Sequence, residues 1–367
     1  MSQNDPPVPQ IVDQPETPPP WWNTPPPWMS LVPRRRPLVR RFLMAVFILL
    51  FLLSAVANIY LGAFAAAQLD RGFDKTVMQP GKEDQTVAVY GVEGVIDGKT
   101  AAQFSKFCSE VTKDKNVKAV VLRVDSPGGT VAASDQMHTH VAHLKAQGKK
   151  VVVSMGGVAA SGGYYISAGA DEIIAEPTTV TGSIGVIAGW VVLKGTLDKI
   201  GAEAVVVKST HARGWKDEMS LFRKPDDREM EHIQTLLDKI QEQFEKVVKE
   251  GRGDKLKTKT ATYRIATSQG AEARTVQHTE TEPFNGKVYL AADALGLGLV
   301  DEIGYQDKAV DQAVKLAGLT KAHVVHYQAR KGILEEILMS RSGALALDRN
   351  TLEDLQTPRL MMIWKPE

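Results

Sequence analysis

The sequence predicts an α/β fold with a parallel sheet and flanking helices, preceded by one membrane-spanning helix. Three observations predict it. From residue 86 onward, short valine-rich runs alternate with helical patterns, as parallel strands joined by crossover helices do. Two of these runs, "VKAVVLRVD" (117–125) and "KVVVSM" (150–155), are almost wholly apolar, the mark of strands covered on both faces. Upstream, from Phe42 to Ala67, only Ser54, Asn58 and Tyr60 are polar or half-polar.

Taken in order, the chain starts with a tail over residues 1–41. Twelve of its 19 prolines lie before residue 38, with three of the six tryptophans, in "PPPWWNTPPPWMSLVPRRRP". Proline lacks the backbone donor that helix and sheet interiors need, so the tail reads as disordered or polyproline II. Residues 42–67 follow, and about 20 apolar residues suffice to cross a bilayer. Arg34, Arg35, Arg36, Arg40 and Arg41 precede them. The positive-inside rule then puts the N-terminus in the cytoplasm and the rest of the chain beyond the inner or plasma membrane, as a single-pass protein. A cleaved signal peptide is the rival, because "AFAAAQ" holds an A-x-A pattern. The length of the apolar core favours an anchor.

A linker is expected over 68–84, a folded domain over 85–330 and a C-terminal extension over 331–367. Within the domain, "TVAVYGVEGVI" (86–96) reads as a strand and 101–113 as a helix. Helix is expected again over Thr130–Gln147, from Ser161, and over Trp190–Ile200, with strands at "DEIIAE" (171–176) and "AEAVVVK" (202–208). Residues 227–250 place Met230, Ile233, Leu237, Ile240, Phe244 and Val247 on one helical stripe.

Composition excludes several classes. A net charge of +1 provides no field for nucleic acid. One cysteine, Cys108, excludes an intrachain disulfide framework and reads as a small buried apolar residue. His138, His140 and His143 look like a metal cluster, but helical spacing spreads them over different faces.

The chemistry concentrates in "GGVAASGGYYISAGADEI" (156–173), with five glycines and four alanines. Residues this small mean that something approaches the backbone closely. A second glycine break, "VDSPGGT" (124–130), also follows a buried strand. Unpaired N–H groups at such breaks hold anions, whether phosphates or a developing oxyanion. No phosphate-loop or dinucleotide glycine motif is present, which leaves an oxyanion hole. Ser161 is then either a nucleophile at a helix start or a helix N-cap. A serine nucleophile needs a base. Lys216, Lys208 and His211 lie in the polar stretch that follows "AEAVVV", and serine with lysine is a known variant of the triad.

Four segments, "DSPGG" (125–129), "SGGYYISAGADEIIAEPTTVTGSIGV" (161–186), "GWKD" (214–217) and "GLGLVDEIG" (296–304), together resemble the signal peptide peptidase A family of membrane-anchored serine–lysine peptidases. The resemblance spans about residues 85–318. It implies a ClpP/crotonase-like fold, with Ser161 as nucleophile, Lys216 as general base and Ser183 as the hydroxyl that orients the lysine. Gly128 and Gly162 are implied as the oxyanion N–H donors. It further implies peptide substrates such as signal-peptide remnants, no metal or cofactor, and a ring-like homo-oligomer of up to eight chains. In that ring, Ser161 of one chain is expected to use Lys216 of the next. Residues 264–284 are longer and more polar than the pattern suggests and are expected to alter substrate access.

The mechanism sets a physical demand. A free lysine has a pKa near 10.4, so a neutral-pH base must lose about 3 units, or roughly 4 kcal/mol, through burial. Two other readings are a crotonase-type acyl-CoA hydratase or isomerase, which would use carboxylates, and an inactive membrane scaffold.

Overall fold

The computed structural model describes residues 37–69, 72–266, 275–330 and 359–363. The proline-rich tail up to residue 36 and most of the C-terminal extension lie outside them. The chain divides into two units, one ending at Asp70 and the other starting at Arg71. In the first, helix α1 (Pro37–Leu69) contains the expected span. Its residues 38–62 are long and apolar enough to cross a membrane, with a mean hydropathy of 2.7.

The second unit is built on a sheet. It opens with strands β1 (Phe73–Gln79) and β2 (Lys82–Glu93), so the expected linker contributes ladder residues. The reason is Phe73, whose ring lies 5.9 Å from those of both Tyr90 and Phe107. Helix α2 (Gly98–Lys113) starts at Asp97, whose carboxylate accepts from Thr100 N. Strand β3 (Val117–Ser126), the short β4 (Gly128–Thr130), helix α3 (Val131–Ala146) and strand β5 (Lys150–Ala160) follow. Helix α4 (Gly162–Ser167) leads to β6 (Glu172–Ala175), β7 (Val180–Gly182), β8 (Ile187–Gly189) and helix α5 (Lys194–Ile200). Helix α6 (Asp227–Arg252) carries a capping box, Asp226 with Glu229. The order closes with β9 (Lys259–Ala266), β10 (Thr275–Glu282), β11 (Val288–Leu290), α7 (Ala291–Gly296), β12 (Glu302–Ile303), α8 (Gln306–Leu316), β13 (Ala322–Ala329) and β14 (Arg359–Ile363).

The main sheet runs β1-β13-β2-β3-β5-β6-β12. The pairs along this path are parallel except β1 with β13; β7 branches off it parallel to β5, with β11 antiparallel to β7. This is the α/β fold the sequence predicts. The apolar run of β3 is explained by its two faces. Val120, Leu122 and Val124 face Phe104, Phe107 and Tyr165 on one side. Ala119 and Val121 face Ala309 and Ala313 of α8 on the other. Each fully buried valine contributes roughly 1.5–3 kcal/mol.

Two expectations fail. "AEAVVVK" forms no strand: Val205 and Val207 are 80% and 90% exposed, and among the described residues no ladder includes the segment. The edges of the main sheet are taken by β1 and β12, and a β-former without a partner surface stays outside the ladder. The helix expected at Trp190–Ile200 begins only at Lys194, after β8. Of the polar insertion at 264–284, residues 267–274 lie outside the described residues; the flanking strands β9 and β10 pair with each other and, among the described residues, with no other strand.

Candidate active site

Ser161 sits where β5 turns into α4, at φ 53° and ψ −116°. Its N–H donates to Gly182 O at 2.8 Å and its carbonyl accepts from Tyr165 N at 2.8 Å. Its side chain makes no capping bond, and among the described residues its buried Oγ has no hydrogen-bond partner. An N-cap serine uses its oxygen to accept from the first helical turn, so this serine is not a cap. A hydroxyl without a partner, on strained backbone, is an arrangement found at functional sites.

The small residues around it answer to close packing. A Cβ on Gly162 would collide with Ser134 Oγ and lie 3.1 Å from Gly128 Cα; one on Gly163 would lie 2.7 Å from Ser126 O. The two tyrosines pin the helix. Tyr164 OH donates to Leu299 O and Tyr165 OH to Asp135, both at 2.8 Å.

Gly128 has φ 102°, and a Cβ there would lie 2.7 Å from Gly162 N. The two glycines thus line one spot beside Ser161. Their N–H groups are not equivalent. Gly162 opens α4, so its N–H has no helical partner. Gly128 N–H donates to Ser126 Oγ at 3.1 Å. Gly129 joins the spot, its N 3.1 Å from where a Gly162 Cβ would stand. The second glycine of "PGG" was the available signal for it.

Pairing of β7 with β5, Ala160 opposite Gly182, brings Ser183 next to Ser161. Ser183 is buried, at φ 51°, with its N–H donated to Lys287 O at 2.8 Å. Lys216, at φ 76°, is exposed on a loop. Among the described residues nothing pairs with its ammonium, and Ser161 Oγ has no partner, so one chain does not join the two. Of the other bases considered, Lys208 is ion-paired to Asp217 and His211 lies exposed in a short 3-10 turn. His138 packs edge-on to Tyr165 at 5.4 Å, and burial lowers its pKa. Among the described residues the only non-glycine positions with positive φ are Ser161, Ser183 and Lys216.

The site also holds part of its own chain. β14 lies between β4 and β8, antiparallel to both, with Met362 opposite Gly129 and Leu360 opposite Ala188. Met362 is 1% exposed and borders a cavity with Thr130, Val131, Tyr165 and Ile240. A Cβ on Gly128 would collide with the Met362 carbonyl oxygen. Ile363 borders a cleft with Ser183, Ile187 and Phe284.

Comparison with known proteins adds family context. The profile of Peptidase family S49 matches residues 143–281, and that of Clp protease matches residues 87–180. Protease 4 of Salmonella typhi is 32% identical over 74% of this chain and 41% of its own length. An Enterococcus faecium protein, provisionally named signal peptide peptidase SppA, is 33% identical over 68% of this chain and 69% of its own. The chain thus spans less than half of the Salmonella relative and about two thirds of the other. Among solved structures, a variant of ClpP1 from Listeria monocytogenes is 15% identical over 60% of this chain and 94% of that one, with a TM-score of 0.37.

Proposed function

Since the chain belongs to peptidase family S49, we propose that it is a membrane-anchored serine endopeptidase with Ser161 as nucleophile and Lys216 as base. Its substrates are then residual signal peptides or other membrane-associated peptides. Neutral Lys216 takes the Ser161 proton, and the alkoxide attacks the scissile carbonyl. The oxyanion forms at the Gly128–Gly162 spot, and protonated Lys216 returns the proton to the leaving amine. Ser183 orients the lysine.

The observation that carries this reading is β14. A length of polypeptide already lies extended across the cleft, paired on both sides, with its Met362 carbonyl against Gly128. A thioester of coenzyme A would not use strand pairing on both sides. Backbone pairing with pockets for alternate side chains is a general mode of peptide recognition.

A serine-directed fluorophosphonate tests the reading. It is expected to label Ser161 in the full chain, as mapped by peptide mass spectrometry; label elsewhere, or none, overturns it. Because β14 covers the site, Met362→Asp, which makes that strand unfit for its apolar pocket, is expected to speed labelling. A strand seated nine-tenths of the time slows labelling about tenfold.

The exposure of Lys216 bears on assembly. In one chain it lacks the burial that a lysine base requires. A neighbouring chain supplies that burial if the active unit is a ring-like homo-oligomer, up to an octamer, in which Lys216 serves the serine of the next chain.

The anchor and its orientation belong to the same reading. With α1 across the inner or plasma membrane and the arginines cytoplasmic, protease added to spheroplasts is expected to digest the domain that follows residue 70. Protection of that domain reverses the orientation.

A further inference from the structure

The residues on either side of Lys216 are gripped by other parts of the chain. Asp217 is ion-paired to Lys208 and to Arg223, the latter also through Nε at 2.9 Å. Arg223 continues to Glu229 at 2.6 and 2.7 Å. Glu229, 2% exposed, closes the capping box of α6 by accepting from Asp226 N at 2.9 Å. On the other side of the lysine, Arg228 donates to Gly214 O at 2.8 Å and lies 4.4 Å from the Trp215 ring centroid. His232 meets that ring system edge-on at 5.1 Å. The first two turns of α6 therefore hold Gly214, Trp215 and Asp217, with Lys216 between them in a left-handed conformation.

Within the clamp itself the charges balance: Lys208 and Arg223 provide two cations, Asp217 and Glu229 two carboxylates. Around it stand Arg228, the carboxylate of Asp226 in the capping box, and Glu218, which lines the same cleft as Lys216 and whose Oε2 is buried without a partner among the described residues. A lone carboxylate next to a lysine base would favour the protonated, inactive form. Here the carboxylate adjacent in sequence is shared by two cations.

We propose that Asp217 is a positioning residue for Lys216, and that Lys208 with Arg223 cancels its charge, so the loop is anchored without Asp217 itself adding net negative charge beside the base. The proposal rests on the reading of Lys216 as base. It assigns Lys208 a function as counter-ion.

The clamp persists over the assay range. The hydrogen bonds from Arg223 lower the Glu229 pKa from 4.5 to about 2 and depress Asp217 likewise. A lowered carboxyl pKa stabilises the folded state above the ordinary carboxylate range, and that stability is lost only as pH falls toward about 2. A change in the rate profile near neutrality therefore reports on the base.

The test is the pH dependence of kcat/KM for a fluorogenic peptide, measured with the full chain in detergent and its variants. Lys208→Met leaves the cluster one unit more negative, so the acid limb is expected to move to higher pH by about half a unit, the order of effect of one nearby charge in a high-dielectric setting. Asp217→Asn moves the limb the other way by a similar amount, and its plateau kcat falls about tenfold with KM within about twofold, because the anchor is lost. A role in folding alone would not move two limbs in opposite directions. If Asp217→Asn does not fold, the Lys208→Met limb decides. Limbs that coincide with the wild type, while Lys216→Ala is inactive, overturn this proposal alone. An active Lys216→Ala overturns the reading beneath it, and the proposal with it.

Discussion

Ser161→Ala is expected to lower kcat for peptide hydrolysis by about 10⁵-fold. Removing a serine nucleophile removes the covalent route, and what remains comes from the oxyanion site and substrate binding. The same change is expected to leave stability unchanged or raise it by about 1 kcal/mol. Ser161 Oγ is buried without a hydrogen-bond partner, and deleting an unsatisfied polar group relieves a desolvation penalty. Activity and stability thus move in opposite directions, as they do where a site is built for reaction and not for packing. Steady-state hydrolysis and thermal unfolding of the same preparation check both arms. Wild-type activity in a folded Ser161→Ala protein would falsify the assignment of the nucleophile.

Lys216→Ala is expected to lower kcat by about 10³-fold or more, and Lys216→Arg equally, because arginine keeps its proton. The more informative measurement mixes two dead chains. In the proposed ring, heterologous contacts join different patches of adjacent copies, so co-expressed Ser161→Ala and Lys216→Ala chains are expected to meet at shared sites. With random mixing, about a quarter of the junctions pair an intact Ser161 with an intact Lys216, so about a quarter of wild-type activity is expected to return. Differently tagged chains that purify together yet stay inactive would show that each site is completed within one chain. The exposed Lys216 and the unpartnered Ser161 Oγ point to the shared site. So does the exposed 202–208 segment, whose Val205 and Val207 find no cover among the described residues.

The sequence by itself determined the parallel α/β sheet, because buried strands must be apolar on both faces and crossover helices must separate them. Val117–Ser126 and Lys150–Ala160 carry that requirement in their composition. It also marked Ser161, Gly128 and Gly162, since close backbone packing admits only the smallest residues. The left-handed backbone at Ser161, Ser183 and Lys216 was not legible, because no residue type announces positive φ except glycine and, weakly, asparagine or aspartate. Nor were the Ser126 bond to Gly128 N–H and the clamp of Asp217 by Lys208 and Arg223, which depend on where separate loops meet. Tertiary structure alone decided that "AEAVVVK" stays unpaired and that Arg359–Ile363 pairs instead. A strand forms where a free ladder edge meets it, and the gap between β4 and β8 is such an edge.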